Sequence, residues 1–87
     1  MRELTTKSGI MVKCGKTEIA FFQSARSAAP FSVLEIPKEF RDKAVAFYDL
    51  ILENGHPAAL LGCRSHYDIA VQLDETTGAM TGWHWFI

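Results

Sequence analysis

The stretch IPKEFRDKAVAFYDLILENG, residues 36–55, sets the tightest limit on what this chain can fold into. Phe40, Ala44, Phe47 and Ile51 recur at the i, i+4, i+7, i+11 spacing of one α-helical face. Val45, Tyr48 and Leu52 widen that face enough to cover a sheet. Pro37 suits the first helical position, where its missing N–H has no intrahelical partner in any case. Asn54-Gly55 supplies a left-handed stop, and Pro57 keeps a helix from resuming. Glu39 and Lys43 lie four apart on the opposite side, in the favourable order for an ion pair. The pattern predicts one long α-helix over residues 37–54.

Strand signals flank this element. Ile10 to Cys14 and Thr17 to Gln23 alternate around Gly15-Lys16, which reads as a type II′ turn with glycine first. Phe21-Phe22 then places one aromatic on each side of the sheet. Residues 1–8 are expected to fray or form a short edge, with Leu4 as the apolar anchor. Residues 24–30, SARSAAP, carry Arg26 and no large side chain to pack, so they predict a flexible loop. Phe31 to Ile36 gives a third strand, and Ala58 to Cys63 a short apolar one after the helix. From Tyr67 to Leu73, apolar and polar residues alternate as in a half-buried antiparallel strand. A glycine-bearing loop over residues 74–78 leads into a last strand, where Trp83, Trp85 and Ile87 share one face and Met80, His84 and Phe86 the other.

The expected fold is therefore a single α+β domain over residues 1–87. It has an antiparallel sheet of five or six strands, one long helix on one face, and the order β-β-β-α-β-β with an optional further strand. A chain of 87 residues buries only about 60–65% of its unfolded surface, so modest stability is expected. Apolar residues make up 48% of the chain and ten side chains are aromatic, which suits a packed core and argues against disorder. The formal charge of −1 exerts no pull on nucleic acid or an anionic membrane. The polar start MRELTTKSG shows no secretory signal, and no apolar run reaches membrane-spanning length. Cys14 and Cys63 then read as reduced core thiols of a cytoplasmic protein, with one disulfide as the alternative if their strands pair.

Chemistry-bearing combinations are sparse. Cys63-Arg64-Ser65-His66 has the spacing of half a zinc site, which Cys14 and His84 would have to complete, but no second closely spaced pair exists. Cys63, His66 and Asp68 offer a thiol, a base and a carboxylate, yet residues so close on one strand and turn seldom converge on a substrate. His56 reads as a solvated residue after the helix stop. Asp74 and Glu75 are explained by the hairpin loop that carries them. Phosphate-binding glycine loops are absent. No catalytic residue, cofactor or metal ligand is assigned.

What remains is contact. A single helix covers one side of a sheet, while the strands offer large apolar residues on both, so something must cover Phe22 or Phe21, and either Trp83 with Trp85 or Phe86. Asp42, Asp49 and Glu53 would form an acidic stripe on the wet side of the helix, suited to a basic partner. Arg26 and the first hairpin would form a weak basic edge. In size and composition the chain resembles the small inhibitors encoded by phages and mobile elements, anti-CRISPR proteins among them. The length, the lack of a catalytic motif and the aromatic-rich α+β plan point to a non-enzymatic inhibitor or adaptor that sterically blocks a surface of a larger machine, a nucleic-acid-processing one if the resemblance holds. Its contact residues would come from Phe22, Arg26, Asp42, Asp49, Glu53, Trp83, Trp85 and Phe86. The alternatives are a homodimeric structural protein and a weak single-stranded nucleic-acid binder, whose stacking aromatics would need clustered cations. A membrane partner is not expected.

Overall fold

The computed structural model describes residues 1–64 and 67–87. Among them eight strands form two four-stranded antiparallel sheets, each in simple up-and-down order. The first holds β1 (Glu3–Thr5), β2 (Met11–Cys14), β3 (Glu18–Phe22) and β4 (Ser32–Glu35). The second holds β5 (Ala44–Glu53), β6 (His56–Cys63), β7 (Asp68–Leu73) and β8 (Met80–Phe86). The sole helical piece among the described residues is one 3-10 turn, Lys38–Phe40. The fold is all-β, and the expected α+β domain with a helix over residues 37–54 is overturned.

The error has a physical origin in β5. Its register against β6 slips twice, between Ala44 and Ala46 and between Phe47 and Asp49, leaving Val45 and Tyr48 as the extra residues. Each β-bulge inserts one residue and restores the facing of the next. Ala44, Phe47 and Leu50 therefore all point inward, opposite Cys63, Leu61 and Ala59, at intervals of three rather than two. A strand bulged in this way imitates helical periodicity. Its β-branched and aromatic residues (Val45, Phe47, Tyr48, Ile51) are the local signal that favoured a strand. Asn54 and Gly55 are left-handed, with φ of 53° and 80°. They close a β5–β6 hairpin at the pair Glu53–His56, as the Asn-Gly dipeptide of a type I′ turn does.

Smaller expectations also change. Of the two expectations for residues 1–8, the short edge is the one found: Glu3–Thr5 pairs with β2 from Glu3–Lys13 to Thr5–Met11, with Leu4 buried. Gly15 is not among the positive-φ residues, so the β2–β3 connection is not type II′. Its closing bond runs from the Gly15 N–H to the Glu18 carbonyl at 2.9 Å. Tyr67 precedes β7 and is exposed. Residues 24–30 do form a loop, in which the Ser27 N–H donates to the Ser24 carbonyl. Cys14 and Cys63 are both free thiols, and Cys14 is buried.

The two sheets stack with their inner faces together. Leu4, Val12, Cys14, Ile19 and Phe21 from the first meet Phe47, Leu50, Ala59, Leu61, Ile69, Val71 and Leu73 from the second, with Phe40 closing one side. At one margin the sheets are joined through the backbone. The Leu50 N–H donates to the Met1 carbonyl at 2.7 Å, and the Phe47 N–H donates to the Lys16 carbonyl at 2.9 Å. Opposite that margin, β4 and β8 remain as terminal strands of their sheets.

The second sheet also buries residues on its other side. Ala58, Leu60 and Ala70 are buried, although register places them opposite the face that carries Ala59, Leu61 and Val71. Two polar bridges span this side. The Tyr48 hydroxyl donates to Asp68 Oδ2 at 2.6 Å, and His84 Nε2 meets Glu53 Oε2 at 2.7 Å. The Tyr48 ring passes over Gly62, where a Cβ would stand 3.5 Å from it and 3.3 Å from the Ala46 carbonyl oxygen.

Candidate partner-binding edge

β8 ends the second sheet, and its composition differs from that of the other margins. Strand edges expose unpaired N–H and C=O groups, and proteins usually blunt them with charges, proline, shortness or a cover. β4 is four residues long, ends in Glu35 and sits between Pro30 and Pro37. β1 and β5 meet through the Met1 and Leu50 backbones. β8 runs for seven residues, MTGWHWF, with no Asp, Glu, Lys, Arg or Pro. Its one irregularity is a bulge at Thr81, and the run Gly82–Phe86 beyond it pairs regularly and is left unprotected by charge or proline.

Its side chains follow from pairing with β7. Trp85 stands opposite Ile69 and Trp83 opposite Val71, so both indoles lie on the core-facing side. The first sheet does not reach far enough to cover them, and they stay 40% and 42% exposed. Phe40 packs edge-on against Trp83 at 5.1 Å between centroids, and Trp83 meets Trp85 edge-on at 5.5 Å. Lys43 Nζ stands 5.7 Å above the Trp85 ring, within the reach of a cation–π attraction. The Arg64 N–H donates to the Lys43 carbonyl at 3.0 Å, which brings a second basic residue to this end. His84 and Phe86 take the other side of β8, opposite Ala70 and Asp68, and Phe86 is 38% exposed. A bulge at Thr81, just before Gly82, returns Met80 to the core side opposite Leu73, not to the side of His84 as simple alternation predicted.

The His84 imidazole faces acceptors at both nitrogens, the Trp85 carbonyl at 2.9 Å and the Glu53 carboxylate at 2.7 Å. The backbone bond to Trp85 first, and the Glu53 bond next, raise its pKa above the ordinary histidine value. A raised folded-state pKa stabilises fully below the unfolded pKa of about 6.5 and loses that stabilisation as pH rises through the folded value. The thermal midpoint of the native chain should therefore fall as pH rises from about 6.5 through that raised value, and His84→Gln should flatten the dependence. An equal slope in both proteins would show that the bridge does not act in solution.

The structure brings together Trp83, Trp85 and Phe86 on β8, ties Glu53 to the same strand through His84, and disperses the other expected contact residues. Phe22 lies half-buried on the outer face of the first sheet, under Lys13 Nζ at 5.1 Å. Arg26 is exposed in the loop before β4, its N–H donating to Ser24 Oγ. Asp42 is exposed in the turn that enters β5. Asp49 Oδ1 accepts the Leu50 N–H at 2.9 Å and pairs with the Met1 amine, while Glu53 is held by His84. With no helix, these acids share no stripe. Phe40, Lys43 and His84 join the site unforeseen, because the first two reach it only through the 3-10 turn and the bulged start of β5.

Chemistry at Cys63 is disfavoured by its surroundings. Burial first, and Asp68 next, push the Cys63 thiol above its usual pKa, the reverse of an activated nucleophile. Asp68 is occupied, accepting the Cys63 N–H at 3.1 Å and the Tyr48 hydroxyl. Burial first, then the same carboxylate, pushes the Tyr48 phenol up to about 12. His66, proposed as zinc ligand or base, lies outside the described residues, as does Ser65. Among the described residues no group of three or more His, Cys, Asp or Glu side chains is placed to share a metal ion. A cleft of about 690 Å³ opens between three hairpin ends, lined by Lys7, Ser8, His56, Glu75 and Thr81 among others. Its three carboxylates are engaged: Glu75 accepts from the Ser8 hydroxyl, Asp74 accepts the Thr76 N–H at 2.8 Å, and Glu53 meets His84.

No helix among the described residues is long and apolar enough to cross a membrane. No known protein family, curated protein or solved structure matches the chain.

Proposed function

We propose that this chain is a small non-enzymatic protein-binding module, an inhibitor or adaptor that works by steric occlusion through the β8 edge. The observation that carries this reading is the pair Trp83 and Trp85, two-fifths exposed on an edge strand without a charged or proline residue. Tryptophan is enriched among residues that dominate binding energy. A free strand edge supplies main-chain hydrogen bonds to any extended segment laid beside it. A module of this kind needs no cofactor: the partner's strand continues the second sheet, the indoles lose their remaining contact with water, and the surface beneath is closed to other ligands. Two unpaired cysteines suit a reducing cytoplasmic setting.

The test compares edge and face variants in binding to partner captured by the native chain. Trp85→Ala should weaken that binding roughly 30-fold, the scale of a 2 kcal/mol hot spot. Phe22→Ala, on the far sheet, should leave it unchanged. Equal binding by both variants, each folded by circular dichroism, would overturn the proposal.

A further inference from the structure

We infer that β8 pairs antiparallel with β8 of a second copy, about a twofold axis at His84, when no other partner occupies the edge. This rests on the β8 edge being the contact surface and names its occupant in the isolated protein.

Face matching restricts the register. A twofold axis normal to the sheet keeps inner side chains inner, so a one-residue slip would set inner against outer positions and is forbidden. The regularly paired run of β8 is Gly82–Phe86, because the bulge interrupts pairing beyond Gly82. His84 is its midpoint. Centring there opposes Trp83 to Trp85 of the second copy and Trp85 to its Trp83, giving four indoles on the core side. On the other side Phe86 lies opposite Gly82 of the second copy, a large ring against a residue with no side chain. Glycines at sheet edges are commonly covered by an aromatic from the neighbouring strand.

Charge favours a copy as occupant. In a symmetric antiparallel pair, any charge on the strand approaches its own image or a near neighbour, and like charges opposite one another destabilise. β8 carries no Asp, Glu, Lys or Arg. His84, its one ionisable side chain, is already matched by Glu53 at 2.7 Å.

The area sets the strength. Aromatic side chains bury about 150–250 Å² each. At roughly two-fifths exposure, Trp83, Trp85 and Phe86 leave about 200–300 Å² per copy to cover. A standard interface takes about 800 Å² per partner. The backbone ladder and neighbouring residues add to the aromatic share without reaching that class. The dimer is therefore weak and concentration-dependent, with dissociation in the micromolar range or above, and a stronger partner can replace the second copy.

Sedimentation equilibrium on the native chain between about 1 µM and 1 mM should show the mass rising from 9.7 kDa towards twice that value. A monomer throughout would overturn the inference. Register is read with single cysteines under mild oxidation, the unsubstituted chain setting the background from Cys14 and Cys63. Directly opposed residues have Cα atoms about 4.5–5.5 Å apart, within the reach of a disulfide. His84→Cys should therefore cross-link to its copy. Gly82→Cys should not, since its twin lies four residues along, about 13 Å away. Equal cross-linking by both, or by neither, would overturn the pairing even if the chain dimerises. The two proposals fail separately. A monomer whose Trp85→Ala variant still loses its partner refutes only the self-pairing, whereas a cross-linked dimer whose partner binding ignores Trp85 refutes only the partner edge.

Discussion

Phe47→Ala is expected to lower the unfolding free energy by about 3–5 kcal/mol, the usual cost of removing a phenyl ring from a packed core. Phe47 is 1% exposed and stands between β6 and the first sheet, part of the same core as Phe21 and Leu61. Val45→Ala, two residues earlier, should cost less than about 0.5 kcal/mol, because Val45 is 63% exposed at the first bulge. Urea unfolding of the two variants measures both values. The contrast also separates strand from helix. A helix with Phe40, Ala44, Phe47 and Ile51 inward would make Ile51→Ala nearly as damaging as Phe47→Ala. In the bulged strand Leu50 takes the inner position and Ile51 pairs with Ala58 on the other side. Leu50→Ala should therefore exceed Ile51→Ala, and the reverse order would contradict the double bulge.

Gly78→Ala should cost about 2–4 kcal/mol, combining the left-handed penalty with overpacking. Gly78 has φ of 76°, and a Cβ there would lie 2.6 Å from Ser32 Cβ and 3.0 Å from Phe21 Cδ1. Neither neighbour can give way easily, since one is a backbone-anchored carbon and the other belongs to a fully buried ring. The contact is one of the points where the β7–β8 loop of the second sheet rests on β4 of the first. Ser32→Gly in the same chain should recover about 1–2 kcal/mol by relieving the steric part, leaving the backbone part. If the double variant were no more stable than Gly78→Ala alone, the two sheets would not meet there.

The all-β architecture was half-legible. β7 announces itself by strict alternation, and Ile69, Val71 and Leu73 are the inward residues that this pattern implies. β2, β3 and β4 appear within one or two residues of where their apolar runs lie. Residues 36–55 were misleading for two reasons that reinforce each other. Two bulges gave Ala44, Phe47 and Leu50 a spacing of three, and Asn54-Gly55 serves equally as a helix stop and as a type I′ turn. Nothing local separates those uses, because left-handed φ values satisfy both. The hairpin prevails once β6 is present to pair with β5 and β7.

The surface proposed for contact was legible in part. Trp83, Trp85 and Phe86 stand out by residue type, and alternation correctly splits the tryptophans from Phe86. Their exposure is a different matter. It depends on how far the first sheet extends over β8, which is set by the short β4 and by the 3-10 turn that brings Phe40 against Trp83. Asp42, Asp49 and Glu53 looked like one stripe only on a helix. On a strand and its entry turn, Glu53 instead reaches the His84 ring, a pairing 31 positions apart that no local pattern encodes.

The amino-acid sequence by itself determined the left-handed positions at Asn54-Gly55 and Gly78 and the alternation of β7. It also placed an uncharged, tryptophan-rich strand in the last stretch of the chain. These depend on the φ preferences of Asn and Gly and on the two-residue period of a strand, which act within a few residues. The tertiary structure decided that the strands divide into two sheets, that β5 bulges twice, and that β8 is left as the open edge. Those outcomes depend on which faces must be buried against residues distant in the chain, and burial is settled only when both surfaces are present.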